Sequence, residues 1–380
     1  MNGAEATYGY DVAGRLHTIS NGAGVFAYTW HSDANWVQSI VYPNGVVVSN
    51  LYNKMGWLAE RRNLKPDATV VSSFAYSYDA LGMRTDVLFA DGSGCAYGYD
   101  SSRQLASAQG YLTGGSQNPT VQFAYTYDGL GNRTNTSHSG VVTAYGVNEL
   151  NQYSYSIATD GRSGTNAFAY DANGNLTLEL SPTRYACYGW NEENRLASFT
   201  NGAHRSEFFY NGLGFLVELR EYENGILQQT TRHVYDGLLP VVDVDAQNTP
   251  LRSYLRGLDL AVSFDRAGGI GGLLMLWDHE SGVAANYCFD GNGNVVNLLT
   301  SGNEVAANYE YEPFGTVVVS TGFEARQPKQ WSSKDFHGLS QLSYYGFRHY
   351  KGDTGKWLSR DPLEENDVAK PLHICEQQSN

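Results

Sequence analysis

The residues with most chemical potential in this 380-residue chain are acids that return at one fixed position. Asp11, Asp79, Asp128, Asp171 and Asp290 each follow an aromatic residue: Tyr10, Tyr78, Tyr127, Tyr170 and Phe289. Each also precedes a glycine by three positions: Gly14, Gly82, Gly131, Gly174 and Gly293. Two carboxylates on facing strands could act as a glycosidase pair. Asp171-x-Asn173-x-Asn175 and Asp290-x-Asn292-x-Asn294 imitate the first half of a calcium loop. A catalytic acid is not needed once per repeat, however. The calcium pattern also fails at its sixth position, where Leu176 and Val295 replace glycine, and it lacks the closing glutamate. The expectation is therefore structural: turn-forming acids, with no metal and no cofactor.

Other signatures fail in the same way. The nine histidines form no HExxH, and Gly-x-Ser-x-Gly is absent. The run Gly268 to Gly272 breaks the dinucleotide fingerprint at Leu274 and reads as a structural loop. Gly352 to Lys356 is followed by Trp357, and Tyr350 occupies the first-glycine position of a P-loop, so a turn is expected there. Cys95, Cys187, Cys288 and Cys375 form no CxxC pair, which disfavours zinc. The first three stand one to four residues before a motif aromatic and are expected on strands as buried free thiols.

The positioning elements follow from the repeat itself. Further copies begin at Tyr52, Trp190, Tyr210 and Tyr311, with weaker ones at Trp30, Tyr99 and Tyr235. Most steps are 20 to 28 residues, with a double-length interval between Tyr235 and Phe289. The approach to each motif alternates, as in Val121-Gln122-Phe123-Ala124-Tyr125-Thr126-Tyr127, which is the period of a half-buried strand. The following Asp/Asn/Gly cluster is turn chemistry, and a return strand follows, as in Leu176 to Leu180. A lone hairpin is marginal in water, so the hairpins must share a sheet, and sheet twist makes a long array curl. The predicted fold is all-β, an array of antiparallel hairpins forming a curved sheet or partial spiral shell. Forty-two glycines, 28 tyrosines and 17% charged residues fit that reading and not disorder.

A net charge of −14 argues against nucleic acid as a partner. No apolar run reaches the 18 residues of a membrane span, and Met1 to Glu5 shows no secretory signal.

The repeated Tyr-Asp turn resembles the YD repeats of the Rhs (rearrangement hotspot) family, relatives of the teneurins and of insecticidal toxin-complex proteins. The C-terminal segments are sharper. Tyr309-Glu310-Tyr311-Glu312-Pro313-Phe314-Gly315 looks like the opening of that family's associated core. Leu342-Ser343-Tyr344-Tyr345-Gly346-Phe347-Arg348-His349-Tyr350 and Thr354-Gly355-Lys356-Trp357-Leu358-Ser359-Arg360-Asp361-Pro362 are similar to its closing segment. Arg256 to Leu260 and Gly268 to Leu274 also look like segments of bacterial members. The likeness runs over roughly residues 8 to 362. It implies a YD-repeat array over 1–245, a glycine-rich degenerate stretch over 246–285, a repeat-associated core over 286–362 and a loose tail over 363–380.

The resemblance further implies a hollow cocoon of hairpins around a toxin, secreted or at a cell surface, closed by the core. It also implies aspartyl-type self-cleavage at Arg360-Asp361-Pro362. The sequence departs from that motif at Leu363-Glu364, and the usual second Asp-Pro-x-Gly is missing. The first functional expectation is thus a structural shell segment without a toxin domain, whose partners are other shell segments or an enclosed toxin. The second is a cell-surface adhesin with a glycan or protein ligand contacted through clustered Tyr and Trp. The third is a self-cleaving protein, with Arg360 and Asp361 as the catalytic candidates and the activity vestigial or lost.

Overall fold

The computed structural model describes residues 5–160, 164–323 and 327–361. Pro362, Cys375 and the expected tail lie outside them. The chain is all-β, as its alternation predicts. Among the described residues, twenty-eight strands share one sheet, and a second, small sheet lies near the C-terminal end. Among the described residues the one helical element is the 3-10 turn Trp331–Ser333, and no helix is long and apolar enough to cross a membrane. The residues divide into two units. The first comprises those up to 83, 87–90 and 231–336; the second comprises 84–86, 91–230 and those from 337.

Within each unit, paired strands are consecutive in sequence and antiparallel, for example Thr7–Tyr10 with Leu16–Asn21 and Gln117–Tyr127 with Arg133–His138. The aromatic pairs across a five-residue loop, Tyr10 opposite Leu16 and Tyr127 opposite Arg133, with a register shift just before it. The loop closes on the motif acid. The Asp128 backbone N–H donates to the Asn132 carbonyl (2.9 Å), and the Gly131 N–H donates to the Asp128 carbonyl (3.1 Å). Asp128 Oδ1 accepts the N–H groups of Leu130 and Asn132, both at 2.9 Å. Asp11, Asp79, Asp171 and Asp290 repeat this pattern. Asn53, Asn191 and Asn211 do the same with an amide oxygen. The residue three positions on is at positive φ, +76° at Gly14 and +82° at Gly131, where a Cβ is disfavoured; in the Asn191 turn Asn194 takes this place at +57°.

The motif aromatic joins one hairpin to the previous one. Tyr78 Oη donates to the carbonyl of Leu58 (2.6 Å), Tyr127 to Leu105 (2.7 Å), Tyr210 to Leu196 (2.8 Å) and Tyr311 to Val295 (2.7 Å). Where the aromatic is tryptophan, the indole N–H takes over, Trp30 to Leu16 and Trp190 to Leu176. Each acceptor is the first residue of a return strand. Val147-Asn148 adds a copy that has no aromatic and fills the interval between Tyr127 and Tyr170; Asn148 Oδ1 accepts from Leu150 and Gln152.

In the first unit the early hairpins face the late strands. Ile19, Phe26, Tyr28 and Tyr42 share a core with Leu274, Cys288 and Leu299, and Tyr42 Oη donates to the Tyr287 carbonyl (3.0 Å). The double-length interval holds strands Pro250–Arg256 and Leu273–Asp278 around a loop organised by buried Asp259, whose carboxylate accepts N–H groups of Ala261, Ser263, Ala267 and Gly269. The glycine run is thus a structural loop. In the second unit Leu176, Leu196, Phe199, Phe208 and Leu216 pack against Leu342, Tyr344 and Leu358. Cys95 and Cys288 are buried free thiols and Cys187 is half-buried, all three on strands.

These contacts set an order of importance that denaturation can read. Tyr78→Phe removes one hydrogen bond at constant ring packing and should cost about 1 kcal/mol. Asp79→Ala removes both acceptor bonds of its turn and should cost about 2 kcal/mol. Urea unfolding followed by tyrosine and tryptophan fluorescence checks the order; equal stability of Asp79→Ala and the parent would refute the turn's role.

Candidate functional site

The resemblance-derived residues fall into two groups, one in each unit. In the first, Tyr311 packs edge-on against Trp331 (5.4 Å), and Gly315 at φ +91° lies beneath the Trp331 ring with no room for a side chain. Pro313 and Phe314 lie in the same turn, between Glu312 and Gly315, closed by the Gly315 N–H donating to the Glu312 carbonyl (2.9 Å). The second group builds the small sheet, where His349–Lys351 pairs with both Leu342–Tyr344 and Lys356–Trp357.

Tyr345, Tyr350 and Trp357 form a three-ring cluster with centroids 5.1 to 5.9 Å apart. Gly346 turns the chain at φ +92°, and Gly355, at φ +65°, sits against the Arg133 guanidinium. Arg348 stacks on Trp357 (4.3 Å) and pairs with Asp361 Oδ2 at 2.7 Å. Arg360 is exposed, and its side chain lies over the Gly174 turn. The two self-cleavage candidates thus contact different groups, and the carboxylate of Asp361 is engaged by a stacked guanidinium.

The small sheet is seated by backbone and by charge. The Leu176 N–H donates to the Leu358 carbonyl (2.8 Å), and the Leu216 N–H donates to Tyr344 Oη (3.0 Å). Both donors directly follow a motif turn. Lys351, buried with 2% of its side chain exposed, pairs with buried Glu179 at 2.5 Å and with Asp353 at 3.0 Å. Tyr188 Oη donates to the other Glu179 oxygen (3.1 Å), and burial pushes that phenol well above its ordinary range. His349 is buried between Phe208 and Tyr344. Burial first, and then the charge of nearby His337, pull it down to about 3. His337 bonds Ser340 Oγ (2.6 Å) and faces Glu221 at 3.3 Å.

The first unit holds a second set of buried charges. Asp243 accepts from His233 (2.7 Å), Arg252 (2.9 Å) and Tyr254 (2.7 Å). Burial alone would raise this carboxyl, but His233 and Arg252 hold it far below the usual range. Lys329 pairs with Asp335 at 2.5 Å under the Tyr254 ring, and burial lowers its amine.

These interior ions carried no motif. Their one sequence signal is a charge embedded in an apolar strand, Glu179 in Leu-Thr-Leu-Glu-Leu and Asp243 in Val-Val-Asp-Val; Asp243 finds its partners on the adjacent strands, whereas Lys351 is 172 residues from Glu179.

The repeat acids do not converge. Each spends its oxygens on its own turn, and the described residues hold no group of three or more His, Cys, Asp or Glu able to bind a metal. What the arrangement does chemically is hold strands together.

Two measurements probe the seat. Glu179→Leu alone leaves the buried Lys351 charge with only the half-exposed Asp353 and should cost roughly 3 kcal/mol, whereas Glu179→Leu with Lys351→Met should recover most of that loss. A double variant as unstable as the single one would show that the pair does not act as a unit. For pH, the unfolded His349 binds a proton near 6.5 while the folded one resists until about 3. Its contribution is complete above 6.5 and is lost as pH falls from 6.5 toward 3. His349→Phe should flatten the acid side of a stability–pH curve by up to ~1.4 kcal/mol per pH unit; an unchanged slope would refute it.

No family model matches the chain. A curated relative, the tRNA3(Ser)-specific nuclease WapA of Bacillus spizizenii, is 24% identical over 387 aligned positions that cover 90% of this chain and 15% of that protein. Among solved structures, a chain of the Photorhabdus luminescens Tc holotoxin pore carrying a TccC3 mutation aligns over 94% of this chain and 20% of its own, with 18% identity and a TM-score of 0.69. The crystal structure of TcdB2-TccC3-Cdc42 aligns at 16% identity, over 93% of this chain and 22% of its own, with a TM-score of 0.49. The chain spans about a seventh of the curated relative's length and a fifth of the Tc chain's. Its fold is that of the Tc toxin chain, the all-β hairpin fold that its Rhs-like motifs imply.

Proposed function

We propose that this chain is a wall segment of an Rhs-type shell, with encapsulation as its work. The observation that carries the reading is how the recurring residues are used. The motif acids and glycines serve their turns, most motif tyrosines and tryptophans bond the neighbouring hairpin, and the interior charges are matched to partners on other strands. Such a surface contributes a barrier. Its partners in this reading are other segments of a larger shell and a toxin held within, acting outside the producing cell. Self-cleavage finds little support: Arg360 is exposed, and Asp361 is tied to Arg348.

The test is to co-express this chain with the polypeptide segments encoded beside it and to challenge the product with protease. A stable complex in which a segment otherwise digested becomes protected is the expected result. A chain that associates with none of them and protects nothing, yet captures a defined glycan, would overturn the shell reading in favour of an adhesin.

A further inference from the structure

Three motif turns carry asparagine four residues after the aspartate: Asn132, Asn175 and Asn294. In each, the side-chain amide N–H donates to the outer oxygen of its own aspartate, at 2.8 to 2.9 Å. Two of these asparagines then bond neutral groups. Asn175 donates to the Asn194 amide oxygen (2.8 Å), and Asn294 Oδ1 accepts the Ser332 N–H (2.8 Å). The third also donates to the Asn151 amide oxygen (3.3 Å), and its own oxygen meets an amine. Lys356 Nζ lies 2.6 Å from Asn132 Oδ1.

The surroundings of that contact suit amide chemistry. Asn132 is 2% exposed, and Lys356 Nζ sits over the Tyr153 ring at 5.0 Å. The charged groups facing the amine are Asp128, which favours its charged form, and Arg133, which opposes it; burial is the larger effect and brings the amine down to about 8. A carbonyl bond of about 1.23 Å places Asn132 Cγ within roughly 3.8 Å of Nζ. Reacting atoms in a near-attack arrangement lie about 3–3.5 Å apart. A desolvated lysine is an activated nucleophile. Asp128 Oδ2 accepts the Asn132 Nδ2–H at 2.9 Å, which sets a carboxylate beside the nitrogen that would leave.

We propose that Lys356 and Asn132 join in an intramolecular isopeptide bond. The neutral Nζ attacks Cγ, the Nζ–Cγ bond forms and the Cγ–Nδ2 bond breaks. Asp128 passes the proton lost by Nζ to the departing nitrogen, which leaves as ammonia. No oxidant, metal or cofactor enters the balance. The bond would tie the small sheet to the repeat strands of the second unit across 224 residues of sequence.

Intact-mass spectrometry of the purified chain, followed by protease digestion and fragmentation, tests this. The expected result is a mass lower by one ammonia and a branched peptide joining Lys356 to Asn132. Lys356→Arg, which keeps the positive charge, should restore the full mass and abolish the branched peptide. Asp128→Asn should slow its appearance. The full sequence mass with both residues in linear peptides would overturn the proposal. So would an ammonia loss located in a linear succinimide at Asn132.

Discussion

The rest of the structure depends on one polar arrangement repeated along the chain. An aspartate or asparagine accepts two backbone N–H groups of its own five-residue loop, and the aromatic before it bonds the carbonyl that opens the previous return strand. The first contact fixes the register of a hairpin. The second fixes the neighbour. A single hairpin buries too little to persist, so neither contact is sufficient alone. Together they let a short, weakly specified strand find its neighbours among the 28 described strands of the sheet. Register matters because a slip by one residue would turn every buried aromatic toward solvent.

The interior charges solve a different problem. Repeats are alike, so apolar packing alone distinguishes poorly between one seat for the C-terminal strands and another. Lys351 with Glu179 is costly to bury and is satisfied only when those two distant strands meet. The pair is weak evidence for added stability and better evidence for a unique placement. The Asn132–Lys356 contact belongs to the same seat. A covalent bond there would convert a specified contact into a permanent one.

Much of the fold was legible because its period is local. Alternation predicts the strands, the Asp-x-x-Gly spacing predicts the turns, and recurrence itself argues against a catalytic reading of the acids. The copy at Val147-Asn148 escaped the pattern because the turn needs the Asx oxygen and not the aromatic. The seat of the C-terminal strands was not legible. Glu179 and Lys351 are 172 residues apart, and nothing local marks either as the other's partner. His349 looks ordinary in sequence, and only its position between Phe208 and Tyr344 makes it a buried neutral base.

The amino-acid sequence by itself determined the all-β class, the hairpin unit and the structural use of the motif acids, because each depends on contacts within about five residues. Tertiary structure decided which face each charge occupies and which distant strand answers it. It also brought Asn132 up to Lys356, and separated Arg360 from Asp361 by giving them different partners. The physical reason is range. A turn closes on its own backbone, whereas a buried ion is tolerable only once the fold has supplied its counter-charge.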